Sequence, residues 1–389
     1  MSPALSPARS RVATRALRGA VAVVALFVGS AALRDNVSEA IPDRLSNEAF
    51  WALSAELSEP AGFFRSDNLV GNEVTLQHPV PELMKRTPRN GVYLGVGPDQ
   101  NFVYIAAIRP KIAFVVDIRR LNVLQHLFYK AMFELSPERA DFLSLLFARP
   151  RPPGLTAEST PSELIAAYRV VAPDSALFAR SLVQVRNHLT KKRQFPLTDD
   201  DFAGIEYVYT AFFADGPDLT YNFGSGRGRF GGGRYMPSYG HLIAESDALG
   251  VPRGYLATEE TYQYLRGMQE RNLIVPVTGD FAGPKALRAV GDWVRKRGAT
   301  ITAFYTSNVE QYLFQSEMNW RNFFDNVGSF PLDSSSTFIR AIFNSGYQFS
   351  GPTPGPRSVT LLCPIERHLR EFRESRLQSY YDVMGCPGV

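Results

Sequence analysis

The apolar positions of this chain fall into short unbroken runs separated by longer stretches at helical spacing, the pattern of strands buried on both faces alternating with helices. Gly91 to Val96 and Ala113 to Asp117 are two such runs. The segment between them, Asp99 to Arg109, reads as a helix that Pro98 opens and Arg109-Pro110 ends. The same order recurs further on, where Leu273 to Asp280 and Ala299 to Tyr305 flank a helix opened by Pro284 and stopped by Gly298. Pro276 predicts an edge strand or a bulge, since proline has no N–H to give to a neighbouring strand. Two strand–helix–strand units imply a parallel sheet with right-handed crossovers. The expected fold is therefore one α/β domain over residues 36–389, doubly wound around a mostly parallel sheet.

The other periodic stretches surround this frame. Ser46 to Leu57 reads as a helix capped by Ser46, with Phe50, Trp51, Leu53 and Leu57 on its apolar side. Leu121 to Leu135 is an amphipathic helix carrying His126, a lone histidine with no partner at metal-ligand spacing and so read as a packing residue. Ser136-Pro137 reads as cap and first residue of a helix to Phe147. Ser162 to Val171, Asp174 to Leu189 and Thr198 to Phe213 are further helices beyond a proline-rich hinge at 148–154, and Thr258 starts another. This is more than a crossover needs, so about 136–270 is predicted to be an inserted helical cap that shapes substrate choice. Phe330 to Asp333 before Ser336 to Arg340 reads as a strand–helix pair; an apolar run at Val359 to Cys363 and a charged helix from Glu366 to Leu377 follow.

Composition is that of a soluble protein with a sizeable core, 45% hydrophobic and 21% charged. The net charge of +4 changes meaning once it is located. Arg9, Arg11, Arg15, Arg18 and Arg34 face no acid before residue 35, so the remainder carries −1 and no basic field for nucleic acid. Those arginines bracket Gly19 to Leu33, an uncharged run shorter than the roughly 20 residues that span a bilayer. A basic start, a short apolar stretch and small residues at Gly29, Ala31 and Ala32 predict a signal peptide and export. An uncleaved anchor and an over-long gene start are the other readings, and membrane contact is expected through this segment alone. Tyr221 to Gly240 is glycine-rich, with Arg227, Arg229 and Arg234 among aromatics. It reads as a loop over the site in preference to a single-stranded RNA contact. In an exported chain Cys363 and Cys386 would join, closing a loop worth about 3 kcal/mol. Two free thiols suit a cytoplasmic chain equally. No spacing suggests a metal site, a serine-hydrolase elbow or a zincin.

Candidate chemistry gathers at the carboxyl ends of the strands. Gly95 and Gly97 allow the turn after the first strand to approach a ligand closely, and Asp117 ends the second strand at the offset where a carboxylate can take ribose hydroxyls. A nicotinamide site calls for a third glycine where Gln100 stands. Two glycines followed by a polar residue, with an acid closing the next strand, resemble the class I S-adenosylmethionine-dependent methyltransferases. The longer pattern, FRSDNLVGNE, GDFAGPKALRAVG and YTSNVEQYL, is also similar to a family of uncharacterised bacterial proteins.

The methyltransferase resemblance implies S-adenosylmethionine as cofactor. It implies that Gly95, Gly97 and Asp99 line the methionine part with Asn101 in the same turn, that Asp117 holds the ribose, and that Ile118 or Arg119 lies beside the adenine. The segment 62–73, with Arg65, Asp67, Asn68, Asn72 and Glu73, is then a lid over the cofactor; the alternative is a turn that bonds its own backbone. Asp280, Tyr305, Thr306 and Asn308 are expected at the same sheet edge, with Asp280 or Tyr305 deprotonating the methyl acceptor, and Ser307 with Glu310 fits a capping box. The function expected is methyl transfer to a small molecule. Export conflicts with it, because the methyl donor is cytoplasmic, and the other expectation is an exported, non-catalytic protein that binds a nucleoside or small molecule.

Overall fold

Six strands form one mixed, mostly parallel sheet in the computed structural model, which describes residues 39–223, 236–343 and 358–386. They are β1 (Val92–Gly95), β2 (Ile112–Asp117), β3 (Ile274–Thr278), β4 (Ile301–Ser307), β5 (Thr337–Phe343) and β6 (Ser358–Pro364), in the spatial order β3-β2-β1-β4-β5-β6. The first five run parallel and β6 pairs antiparallel with β5. Strands β1, β2, β3 and β5 are buried along their whole length, which is why they read as apolar runs without alternation. Pro276 sits opposite Val115 on β3, an edge strand, where its missing N–H costs no ladder bond. Ser38–Val389 is one compact unit.

Helices α1 (Asn47–Leu57) and α2 (Val80–Arg86) precede β1, and α3 (Gln100–Ile108) joins β1 to β2. Ser46 caps α1 by accepting from the Ala49 N–H. Among the described residues, seven α-helices stand between β2 and β3: α4 (Arg120–Leu135), α5 (Arg139–Phe147), α6 (Pro161–Arg169), α7 (Ser175–Asn187), α8 (Asp199–Asp215), α9 (Tyr239–Ala244) and α10 (Glu259–Glu270). Most of α4 is buried, because it packs on β2 and β3 and also against α5, α8 and α10. Helix α11 (Ala286–Lys296) joins β3 to β4; α12 (Val309–Leu313) and α13 (Glu317–Gly328) join β4 to β5; α14 (Ile365–Arg373) and α15 (Tyr380–Val383) end the described chain. None of the described helices is long and apolar enough to cross a membrane. The N-terminal segment read above as a signal peptide and residues 224–235 of the glycine-rich stretch lie outside the described residues.

Three local expectations are corrected. Thr337 to Arg340 lies in strand β5, not a helix: β-branched Thr337, Ile339 and Ile342 are stiff at χ1 and suit a pleated, buried surface, while Phe330 to Asp333 forms no regular element. Helix α5 starts at Arg139 behind Glu138, and the Ser136 carbonyl instead accepts from the Tyr262 hydroxyl at 2.8 Å. Ser307 and Glu310 make no capping box, since Asn308 is the N-cap of α12 and both side chains are engaged elsewhere. Cys363 and Cys386 are joined, with Cα atoms 5.4 Å apart.

Candidate active site

The turn after β1 is shaped from within by Asn101. Its Nδ2 donates to the carbonyls of Val96 (3.0 Å), Gly97 (3.0 Å) and Pro98 (2.7 Å), and its Oδ1 accepts from the Tyr93 hydroxyl at 3.0 Å. A Cβ on Gly95 would stand 1.8 Å from Asn101 Oδ1, so glycine is required there to admit this amide. Gly97 is required for another reason, a φ of +76°. His126, on α4, donates from Nε2 to the Gly97 carbonyl at 2.9 Å; burial holds its pKa down at about 4, against that bond, so the ring is neutral at pH 7. The turn's other side meets a cavity of about 250 Å³ at the carboxyl ends of the strands, where the sheet order reverses between β1 and β4.

Gly97, Asn68, Asp117, Arg119, Asp280 and Tyr305 all line this cavity. The remaining expected cofactor residues do not. Gly95 is filled against by Asn101, and Asn101 is spent on the turn. Asp99 turns toward the insertion, where its Oδ2 accepts from Tyr255 (3.2 Å), which in turn meets the Tyr239 hydroxyl at 2.8 Å. Burial lifts Asp99 to about 7. Asp67 accepts from the Phe223 N–H at 3.1 Å, and its own N–H donates to Asn222 Oδ1 at 3.0 Å, which ties the 62–69 segment to residues 221–223. That segment bonds distant backbone, and Phe64, Asn68 and the nearby Asn72 line the cavity.

Asp117 is engaged more tightly than its sequence suggests. Its Oδ1 accepts from Arg119 N–H and Nε, each at 2.9 Å, and its Oδ2 from Arg119 Nη2 at 2.8 Å. The third guanidinium nitrogen donates to the Asp67 carbonyl, and Phe64 lies under the guanidinium. Arg119 thus ties the segment around Asp67 to the end of β2, and Oδ2 keeps lone-pair capacity for one further donor.

At the far side of the cavity the β4–β5 register slips between Tyr305 and Ser307, and Ser307 takes a φ of +52°. The bulge re-aims side chains, as bulges beside sites do. Tyr305 donates to Glu73 Oε1 at 2.7 Å, and the Ser307 hydroxyl donates to the same oxygen. Glu73 is fully buried, which pushes its pKa up to about 7 against the pull of those two donors. Burial and the Glu73 charge together raise the Tyr305 phenol well above its ordinary value. Tyr305 is therefore a hydrogen-bond donor to Glu73 at neutral pH. Asp280 lies beyond β3, next to the Asp117 backbone, whose carbonyl accepts from Gly279 at 2.8 Å, and its Oδ1 accepts from Ala282 at 2.9 Å. Glu73 is the acid that the sequence alone gave no role beyond the lid; its hydroxyl partners lie 232 and 234 residues away.

No curated protein matches this chain. The stretches 69–156 and 234–367, which hold all six strands and more than half of the chain, match the model of a family described as a domain of unknown function, DUF7790, and the chain belongs to that family.

Proposed function

We propose that the cavity binds S-adenosylmethionine and that the protein transfers its methyl group to a small molecule held beneath the helical insertion, on a doubly wound, Rossmann-like fold. One observation carries the reading: the backbone of Gly97 and the carboxylate of Asp117, from successive strands, line the same cavity. The strand order and the lone antiparallel strand support it as well. The residues fit the cofactor in kind. Gly97 presents no side chain, Asp117 Oδ2 has room for a hydroxyl donor, and Phe64, Ile118, Tyr221 and Phe281 supply apolar wall. The cofactor would supply an electrophilic methyl group on sulfur. The chain would supply orientation and dryness, with Arg119 holding the lid shut and the nucleoside end on the β2–β3 side. Tyr305, Ser307 and Asn308, across β1, would face the acceptor.

Calorimetry of residues 36–389 with S-adenosylhomocysteine tests this. Binding is expected in the wild type, and Asp117→Ala should weaken it tenfold or more, on the scale of about 1.5–3 kcal/mol for a hydrogen bond to a charged group. Absence of heat at millimolar ligand sinks the reading.

A second reading has its own support. The Cys363–Cys386 disulfide suits an oxidising compartment, as does the N-terminal signal-like segment, and both favour an exported binding protein that has no methyl donor to use. Residues 1–40 fused to a reporter active only outside the cytoplasm should give activity under this reading; a silent reporter retires it.

A further inference from the structure

Glu73, beside the cavity, is buried without a cation. It makes no salt bridge among the described residues, and its Oε2 is buried without a hydrogen-bond partner. The groups facing it are hydroxyls: Tyr305 and Ser307 from β4 donate to Oε1, and Tyr93 from β1, Tyr104 from α3 and Tyr380 from α15 lie within electrostatic reach. Glu245, itself raised to about 7 by burial, accepts from the Thr75 N–H and acts on Tyr104. Two of these residues, Tyr305 and Ser307, also line the cavity, so a ligand there is one side chain away from the Glu73 carboxyl. A carboxyl with no fixed counter-charge ionises when a cation arrives nearby, and a hydroxyl between it and a ligand can pass a proton on.

We propose that Glu73 is a proton store which a cationic ligand in the cavity discharges, and which then takes up, through the Ser307 hydroxyl, the proton of an alcohol or amine acceptor. This rests on the sulfonium-cofactor reading above and names the acceptor class for it. The bookkeeping closes. The acceptor atom bonds the methyl carbon, the carbon–sulfur bond breaks with its electron pair staying on sulfur, the acceptor proton moves to Ser307, and the Ser307 proton moves to Glu73. The positive charge on sulfur and the negative charge on Glu73 vanish together. Glu73 acts through Ser307 and is a positioning residue.

Calorimetry of the full chain at pH 7, run in two buffers of different ionisation heat, counts the protons. Burial raises the Glu73 carboxyl to about 7, so S-adenosylmethionine should release a measurable fraction of a proton per site. S-adenosylhomocysteine, a neutral thioether, should release close to none. Glu73→Gln keeps an acceptor for both hydroxyls; it should bind both ligands and lose the difference. Equal proton counts for the two ligands, or an unchanged difference in Glu73→Gln, overturn the proposal while leaving the cofactor site standing. Heat from neither ligand brings down the cofactor reading, and the proposal with it. Tyrosine difference absorption of the ligand-free wild type should show a transition near pH 7 that Glu73→Gln diminishes; absence of any such transition in the wild type overturns the store whether or not the variant folds.

Discussion

Glu310→Ala is expected to cost about 3–5 kcal/mol of folding stability, measured by urea unfolding at pH 7, because it leaves a buried guanidinium without its counter-charge. Arg340, 1% exposed, donates from Nε to Glu310 Oε2 at 2.5 Å and from Nη2 to Oε1 at 2.9 Å, and it lies over the Phe338 ring at 4.1 Å. Its third nitrogen meets His368 Nε2 at 3.1 Å, and burial, then the Arg340 charge, pushes that histidine down to about 3, so the ring is a neutral acceptor. Glu310 is thus the sole anion among these contacts. The double variant Glu310→Leu with Arg340→Met should recover most of the loss, since removing both charges also removes the desolvation cost, though His368 then lacks a donor. A single variant within 1 kcal/mol of wild type would falsify the account. The effect reaches the cavity too: Glu310 sits on α12, whose Val309, Tyr312 and Leu313 form one wall, so ligand binding should weaken alongside.

What the sequence disclosed about this region, and what it hid, follows from the range of each interaction. The first two strands, the glycine turn and the Ser46 cap depend on neighbours a few residues away, and periodicity and turn chemistry report such neighbours well. Pro276 was legible for the same reason, because a missing donor is a property of one residue. Glu310 was not. A serine and a glutamate three apart fit a capping box locally, but the bulge at Ser307 sends its hydroxyl to Glu73 and leaves Glu310 to meet an arginine thirty residues on. Strand β5 hid its type because its leading serines look like a helix cap, and only its place between β4 and β6 gives the β-branched residues their pleated surface.

The site was partly legible in the same sense. Gly97 and Asp117 come to one cavity because successive parallel strands put their carboxyl ends together, a rule of topology that needs no side-chain detail. Which side chain turns outward was beyond it. Asn101 and Asp99 share the turn with Gly97, yet one folds back to fill three carbonyls and the other faces two tyrosines of the insertion. Arg119 shows how a cavity-lining position can hold two contacts, since its charge balances Asp117 while its reach ties down the Asp67 backbone.

Glu134→Ala is expected to be at least as damaging, about 3–5 kcal/mol, for it strips the anion from two buried cations at once. Its Oε1 meets Lys130 at 2.8 Å, and its Oε2 meets His188 at 2.6 Å and Arg193 Nε at 2.7 Å, with Glu134 and Lys130 side chains each 1% exposed. The network joins four parts of the chain. Lys130 and Glu134 lie on α4, His188 and Arg193 come from the turn after α7, Arg193 reaches Asn47 of α1 at 3.1 Å, and Lys130 reaches the Gln269 carbonyl on α10. Burial alone would raise the Glu134 pKa, but His188, Lys130 and Arg193 outweigh it and hold the group at about 2 against an ordinary 4.5. A carboxylate depressed on folding stabilises fully above the unfolded value, so the contribution is complete above about pH 4.5 and fades as pH falls toward 2. The gap between wild type and Glu134→Ala should therefore be widest near neutrality and shrink progressively between pH 4.5 and 3, followed by urea titrations at each pH. A gap that holds constant down to pH 3 means that the lost stability came from packing, and the cations are then balanced by something other than Glu134.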